Sequence, residues 1–257
     1  MIAVLVFCAI ALAVVMAGVA SFALRTGRTG FIDAVWSGAT GLAATAAILL
    51  ATASAPTGRQ WLAAALMAAW TLRLGGHILA RSVRHGADPR YAHLLAGWGK
   101  AAPRRLHLFL QVQALCGFVL VVAVVAAALR TGPLGIADMA GAASAAVGLL
   151  GSFTADRQME RFRAANAGGN AICDKGLWSW SRHPNYVFEW VFWLAWPLLG
   201  GLALNGLVAL AAPILMYALL RHASGVPHLE AHLRRSRPAA FAAYKARVPV
   251  FFPWSKP

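Results

Sequence analysis

From Trp190 to Leu220 the chain runs 31 residues without a charged side chain, and long apolar runs of this kind limit what it can fold into. A helix needs roughly 20 consecutive apolar residues to cross the hydrocarbon core of a bilayer. Apolar stretches with at most one charged residue each run from Met1 to Leu24, from Asp33 to about Ser54, from about Gln60 to Leu79, between Arg105 and Arg130, and from Pro133 to about Phe153. With 60% apolar and only 12% charged residues, an ordinary soluble domain is excluded. The expectation is an all-α integral membrane protein whose first partner is the lipid bilayer. Met1–Leu24 lacks a basic start, so it reads as a retained anchor and not as a cleaved signal.

The formal charge of +15 could suggest a nucleic-acid partner, but the basic residues lie between apolar runs and read as membrane topology, with no nucleic acid implied. They also arbitrate the 31-residue run, which is too long for one ordinary crossing and tight for two. If it is a hairpin broken near Pro197, Gly200-Gly201 and Asn205-Gly206, 20 Lys and Arg residues fall on one side. Only Arg59 and Arg130 fall on the other, and Arg73 lies within a helix. A single crossing would give 13 against 9. The positive-inside rule therefore predicts about seven spans, with the N-terminus outside and the C-terminus in the cytoplasm. Residues 1–257 read as one polytopic domain, of which 222–257 form a basic cytoplasmic tail. Its aromatic end, Phe251-Phe252-Pro253-Trp254, reads either as an interfacial anchor or as a lid over a site.

Ionisable groups in or beside a span cost about 2.5–3.5 kcal/mol by insertion scales, so each needs a reason. Arg73, His77 and Arg81 are four apart and predict a basic ridge along the third helix, suited to phosphate; Arg81 reads equally as a membrane-boundary residue. Asp156 and Arg163 share a helical face with Glu160 between them. They can read a ribose hydroxyl and a phosphate, or form a surface ion-pair ladder. The densest cluster is Arg182-His183-Pro184-Asn185-Tyr186-Val187-Phe188-Glu189-Trp190. Pro184 suits a first helical turn, which places Asn185 and Glu189 on one face a turn inside. An amide and a carboxylate there can hold a primary carboxamide such as that of nicotinamide; alternatively Glu189 is a structural partner of Arg182 or a histidine. The Gly168-Gly169 turn reads as a linker more readily than as a phosphate loop. Three scattered cysteines and eight histidines without ligand spacing imply neither a disulfide framework nor a metal.

The block Ser181-Arg182-His183-Pro184-Asn185-Tyr186-x-x-Glu189-Trp190, preceded by Asp156-x-Gln158-x-x-x-Phe162, resembles the bacterial DUF1295 family, which is itself similar to the steroid 5-alpha-reductase C-terminal fold. Asp33-x-x-Trp36, Trp70-x-x-Arg73-Leu74, Arg81, Asp88-x-Arg90-Tyr91, Gly225-Val226-Pro227-x-x-Glu230, and Tyr244 followed by Phe251-Phe252-Pro253 extend the resemblance over most of the chain. It implies a seven-helix reductase bundle in the bacterial inner membrane, using NADPH. By the same resemblance Asn185 and Glu189 are nicotinamide contacts. Asp156 and Arg163 are contacts to the rest of the dinucleotide, and Arg73 binds phosphate. Arg182, His183 and Tyr244, with His228 and Arg234, join the cofactor-binding candidates. Steroid reductases resemble one another in a membrane-embedded glutamate of the second span. Residues 34–58 here hold no acid, so a steroid is not specifically implied.

The expected reaction is reduction of a carbon–carbon double bond conjugated to a carbonyl in a lipophilic, steroid- or isoprenoid-like substrate. Tyr186, Tyr91 and His77 are the candidate proton donors, although a lone helical histidine is commonly structural. A rival reading keeps Arg182-His183-Pro184-x-Tyr186 with the distal Glu230 and Tyr244. That pattern resembles isoprenylcysteine and phospholipid methyltransferases, whose cofactor is S-adenosylmethionine. A scaffold or transporter would explain the composition but leaves the cluster from Arg182 to Glu189 without a purpose, and the chain lacks two related halves.

Overall fold

The computed structural model describes residues 1–51, 55–167 and 169–252; Ser54, Gly168, Pro253 and Trp254 of the sequence reading lie outside the described residues. The described residues form α-helices and short 3-10 and π turns, with no strand. In chain order the helices are α1 (Ile2–Thr26), α2 (Phe31–Leu50), α3 (Gly58–Trp70), α4 (Gly76–His85), α5 (Pro89–Trp98), α6 (Ala102–Ala128) and α7 (Ile136–Ala165). They continue as α8 (Pro184–Trp193), α9 (Ala195–Gly200), α10 (Leu204–Ala209), α11 (Ala211–Ala218), α12 (Val226–Ser236) and α13 (Pro238–Lys245). The protein is an all-α integral membrane protein.

Among the described residues six helical segments are long and apolar enough to cross a membrane: Ile2–Thr26, Phe31–Leu50, Gly58–Arg84, Pro89–Ala128, Ile136–Ala165 and Leu204–Ser236. The expected count of about seven differs because α8 and α9 are short pieces interrupted at Leu194. The hairpin break itself lies where the glycines predict it. Gly201 adopts φ +71°, and a Cβ on Gly200 would lie 2.6 Å from the Gly206 Cα, so the chain doubles back between α9 and α10.

The chain divides into two compact units, Met1–Ala142 with Trp196–Ala212, and Ala143–Ala195 with Pro213–Pro257. In the first, α1, α2 and α6 pack on one another. On α1, Cys8, Leu12, Met16 and Ala20 recur every four residues and are all buried, which is the stripe a helix turns toward its neighbours. Close approach depends on small side chains. A Cβ on Gly117 of α6 would sit 2.6 Å from Thr40 Oγ1 of α2, and one on Gly41 would overlap Thr71. Thr71–Gly75 is a π turn between α3 and α4. Its wider i→i+5 bonding alters the rotation between Arg73 and His77, so the expected ridge does not follow α-helical spacing there.

At one end of this unit Arg59 is only 2% exposed. Its Nε and Nη2 donate to the two oxygens of Asp138 at 2.6 and 3.0 Å. Nη1 donates to the carbonyls of Arg130 and Gly132, and Nη2 also to that of Pro133. All five guanidinium donors are thus used. Arg130 adds a second ion pair to Asp138 at 2.6 Å. The two cations that the sequence assigns to the charge-poor side are therefore held by one acid.

The second unit is built on the small residues of α7. Ser144 Oγ donates to the Val191 carbonyl and Ser152 Oγ to that of Asn185. A Cβ on Gly148 would lie 2.5 Å from the Phe192 nitrogen, and one on Gly151 2.2 Å from the Phe188 ring. This Ser-Gly-Gly-Ser face brings the α8 backbone against α7.

Candidate functional site

The N-terminal turn of α8 starts as its sequence predicts, with His183 as cap and Pro184 as first residue, where no backbone donor is required. Asn185 Nδ2 donates to Asp156 Oδ1 of α7 at 3.3 Å. One turn inside, Glu189 is 5% exposed, and its Oε1 accepts from Trp193 Nε1 at 3.1 Å. The preceding loop is fixed to α7 as well. The Leu177 amide donates to Gln158 Oε1, and Trp178 Nε1 donates to the Ala155 carbonyl. Gly176 sits at φ +62° directly against Gln158, so a side chain there would be strained and obstructed.

A second layer closes on this turn from the C-terminal segment. Glu230 of α12, 5% exposed, accepts from Arg182 Nε at 2.8 Å and lies 3.4 Å from His183 Nε2. Arg182 also donates through Nη1 to the Val248 carbonyl and through its amide to the Pro249 carbonyl. The Tyr244 hydroxyl donates to the Trp178 carbonyl at 2.7 Å, and burial pushes that phenol above its ordinary range. The His183 ring stacks on Tyr186, with centroids 5.6 Å apart and planes 9° from parallel. Phe251 and Phe252 pack on Tyr217, and Phe252 also meets Trp190. Phe251 is buried, so this part of the tail is docked protein core.

Burial pushes the His183 imidazolium pKa below its ordinary value near 6.5, although the hydrogen bond to Glu230 opposes the shift; Arg182 and Arg221 also disfavour a second cation. A histidine depressed in the folded state binds its proton more readily when unfolded. Its contribution is therefore present above about pH 6.5 and is lost as pH falls through the lower, folded value. The unfolding midpoint in detergent is expected to drop on acidification through this window, and His183→Gln should flatten that part of the profile.

The first unit holds a separate polar cluster. Tyr91 donates to Asp33 Oδ1 at 2.7 Å and accepts from Gln113 Nε2 at 3.0 Å. Its single donor is thus committed. Arg90 bridges Asp33 and Asp88, the latter also 3.3 Å from Arg81. Burial opposes ionisation of Asp88, but its hydrogen bonds and ion pair with Arg90 outweigh this and hold the carboxyl below the usual range. Arg73 lies in the π turn and His77 in α4, both half-buried.

Of the predicted site residues, Asp156, Asn185, Tyr186 and Glu189 thus lie along α7 and the start of α8, with Arg182, His183 and Tyr244 adjoining through the tail. Arg163 is exposed on the last turn of α7. Arg73, His77 and Tyr91 belong to the other unit. The acid paired with Arg182 is Glu230, not Glu189. Its 48-residue separation from Arg182 left no local spacing to find the pair, and the same holds for Asp138 with Arg59.

The model of the family described as Protein of unknown function (DUF1295) matches residues 21–248. The chain belongs to the DUF1295 family. No curated protein and no solved structure matches it. In this DUF1295 chain the matched region takes in both polar clusters and all of α8 and α12.

Proposed function

We propose that this DUF1295 protein is a membrane oxidoreductase that uses NADPH to reduce a conjugated carbon–carbon double bond in a lipophilic, steroid- or isoprenoid-like substrate. The observation that carries this reading is the Asp156–Asn185 contact, with the buried Glu189 one turn further along the same helix. A primary carboxamide offers two N–H donors and one carbonyl acceptor, and two carboxylates flanking an amide match that set. Asp156, Asn185 and Glu189 would hold the nicotinamide carboxamide, Arg163 would pair with phosphate, and the bound cofactor would supply the hydride. Tyr186, beside Asn185, is the first candidate to deliver a proton to developing enolate charge. The N-terminus would face outward. The basic, cytoplasmic end would draw the dinucleotide to the protein, and the substrate would arrive from the bilayer.

A methyltransferase using S-adenosylmethionine is the second reading. It is favoured by the approach of the distal Glu230 to Arg182 and His183, and by the docking of Tyr244 beside them. Equilibrium binding of both cofactors to purified protein in mild detergent separates the two. Saturable NADPH binding, weakened about tenfold or more by Asn185→Ala and by Glu189→Gln in protein that still folds, is the expected outcome, since the first change removes a hydrogen bond to the ligand and the second removes the charge that strengthens one. Binding of S-adenosylmethionine alone, or NADPH affinity unchanged in both variants, would overturn the assignment.

A further inference from the structure

Where α7 emerges from its apolar section, its exposed side carries Val147, Leu150 and Phe153, followed by Thr154, Arg157 and Arg161. Steps of three and four residues align these side chains into one stripe, apolar at one end and cationic at the other. Leu150 is 67% exposed and Phe153 49%. A groove of about 290 Å³ is lined by Phe153, Thr154, Arg157, Gln158 and Arg161. The Arg157 guanidinium lies 5.2 Å above the Phe153 ring, a cation–π contact that holds the side chain over the apolar stripe.

Two cations border this groove, and among the described residues no carboxylate lies within ion-pair distance of either. The neighbouring Asp156 is turned to Asn185, and the groove lining contains no acid. The Thr154 hydroxyl donates its proton to the Leu150 carbonyl, which fixes its rotamer beside the arginines.

We propose that this stripe binds an anionic phospholipid. Arg157 and Arg161 would share the headgroup phosphate, for which the guanidinium fork is suited, while an acyl chain would follow Phe153, Leu150 and Val147. Charge complementarity favours an acidic lipid over a zwitterionic one, and the continuous apolar stripe favours a lipid over a free anion. The proposal does not depend on which reaction the protein performs, because none of these residues is among those assigned to the cofactor, although they share α7 with Asp156 and Arg163.

Native mass spectrometry of the full chain in mild detergent, titrated with phosphatidylglycerol or phosphatidylcholine of matched chain length, tests it. The expected result is selective retention of phosphatidylglycerol. Retention should weaken roughly 5-fold for Arg157→Gln or Arg161→Gln and roughly 30-fold for the double variant. Arg157→Lys with Arg161→Lys should keep most of the selectivity. Phe153→Ala should weaken both lipids without a change of charge. Equal retention of the two lipids by the wild type, or no loss in the double variant, would overturn the assignment. Displacement of phosphatidylglycerol by millimolar inorganic phosphate would identify a free-anion site and overturn it too.

Discussion

Replacing Asp138 with alanine is expected to destabilise the protein by about 3–5 kcal/mol, because it removes the anion that neutralises a buried arginine. Arg59 and Asp138 are each 2% exposed and joined by two hydrogen bonds, with Arg130 on the same carboxylate. Asp138 Oδ2 also accepts from the Gly135 amide at the start of α7. Its loss therefore leaves a guanidinium desolvated, frees Arg130 and uncaps the turn, while the connection from α6 to α7 loses its anchor to α3. Arg59→Lys should cost nearly as much, since three ammonium donors on one atom cannot serve five acceptors spread around a planar fork. Equilibrium unfolding in mixed detergent reads both effects. A loss below about 1 kcal/mol for Asp138→Ala would mean that the pair is hydrated and behaves as a surface bridge.

Glu230→Ala is expected to have a comparable cost, about 3–5 kcal/mol, by stranding Arg182 in a site where both residues are almost fully buried. The change also removes the hydrogen-bonding partner of His183 and weakens the hold of α12 on the start of α8. Glu230→Gln keeps the shape and one acceptor, so it should lose less. Limited proteolysis between α12 and α13 reports the docking directly: faster cleavage in Glu230→Ala, with α1 and α2 unchanged, is the expected pattern. Under the reductase reading NADPH affinity falls with tail docking, because Arg182 and His183 immediately precede the Asn185 turn. Wild-type proteolysis rates and stability in Glu230→Ala would show that the buried contact does not hold the tail.

Much of the architecture is legible in the residues. Apolar runs locate α1, α2, α6 and α7, since a helix satisfies its backbone within its own segment in hydrocarbon. Pro184 marks the first turn of α8, and Gly200-Gly201 marks the reversal after α9. The start of the candidate site is equally legible: Asn185 and Glu189 share a face because helical periodicity is local. The small residues of α7 allow a close helix contact, but nothing local in them says with which helix.

Long-range pairing is of a different kind. Asp138 is 79 residues from Arg59, and Glu230 is 48 from Arg182. Sequence pattern alone offers Glu189 as an equally good partner for Arg182, and counts Arg59 and Arg130 only as topology charges. Tertiary packing decides among such choices because the cost of burying a charge is settled by whichever opposite charge the fold brings within hydrogen-bonding reach. Residue order and composition are enough to specify a helical membrane protein, its apolar spans and the local face of α8. Which acid neutralises each buried arginine, and that the aromatic tail residues Phe251 and Phe252 are docked, followed only from the three-dimensional arrangement, because those contacts depend on segments that no local periodicity relates.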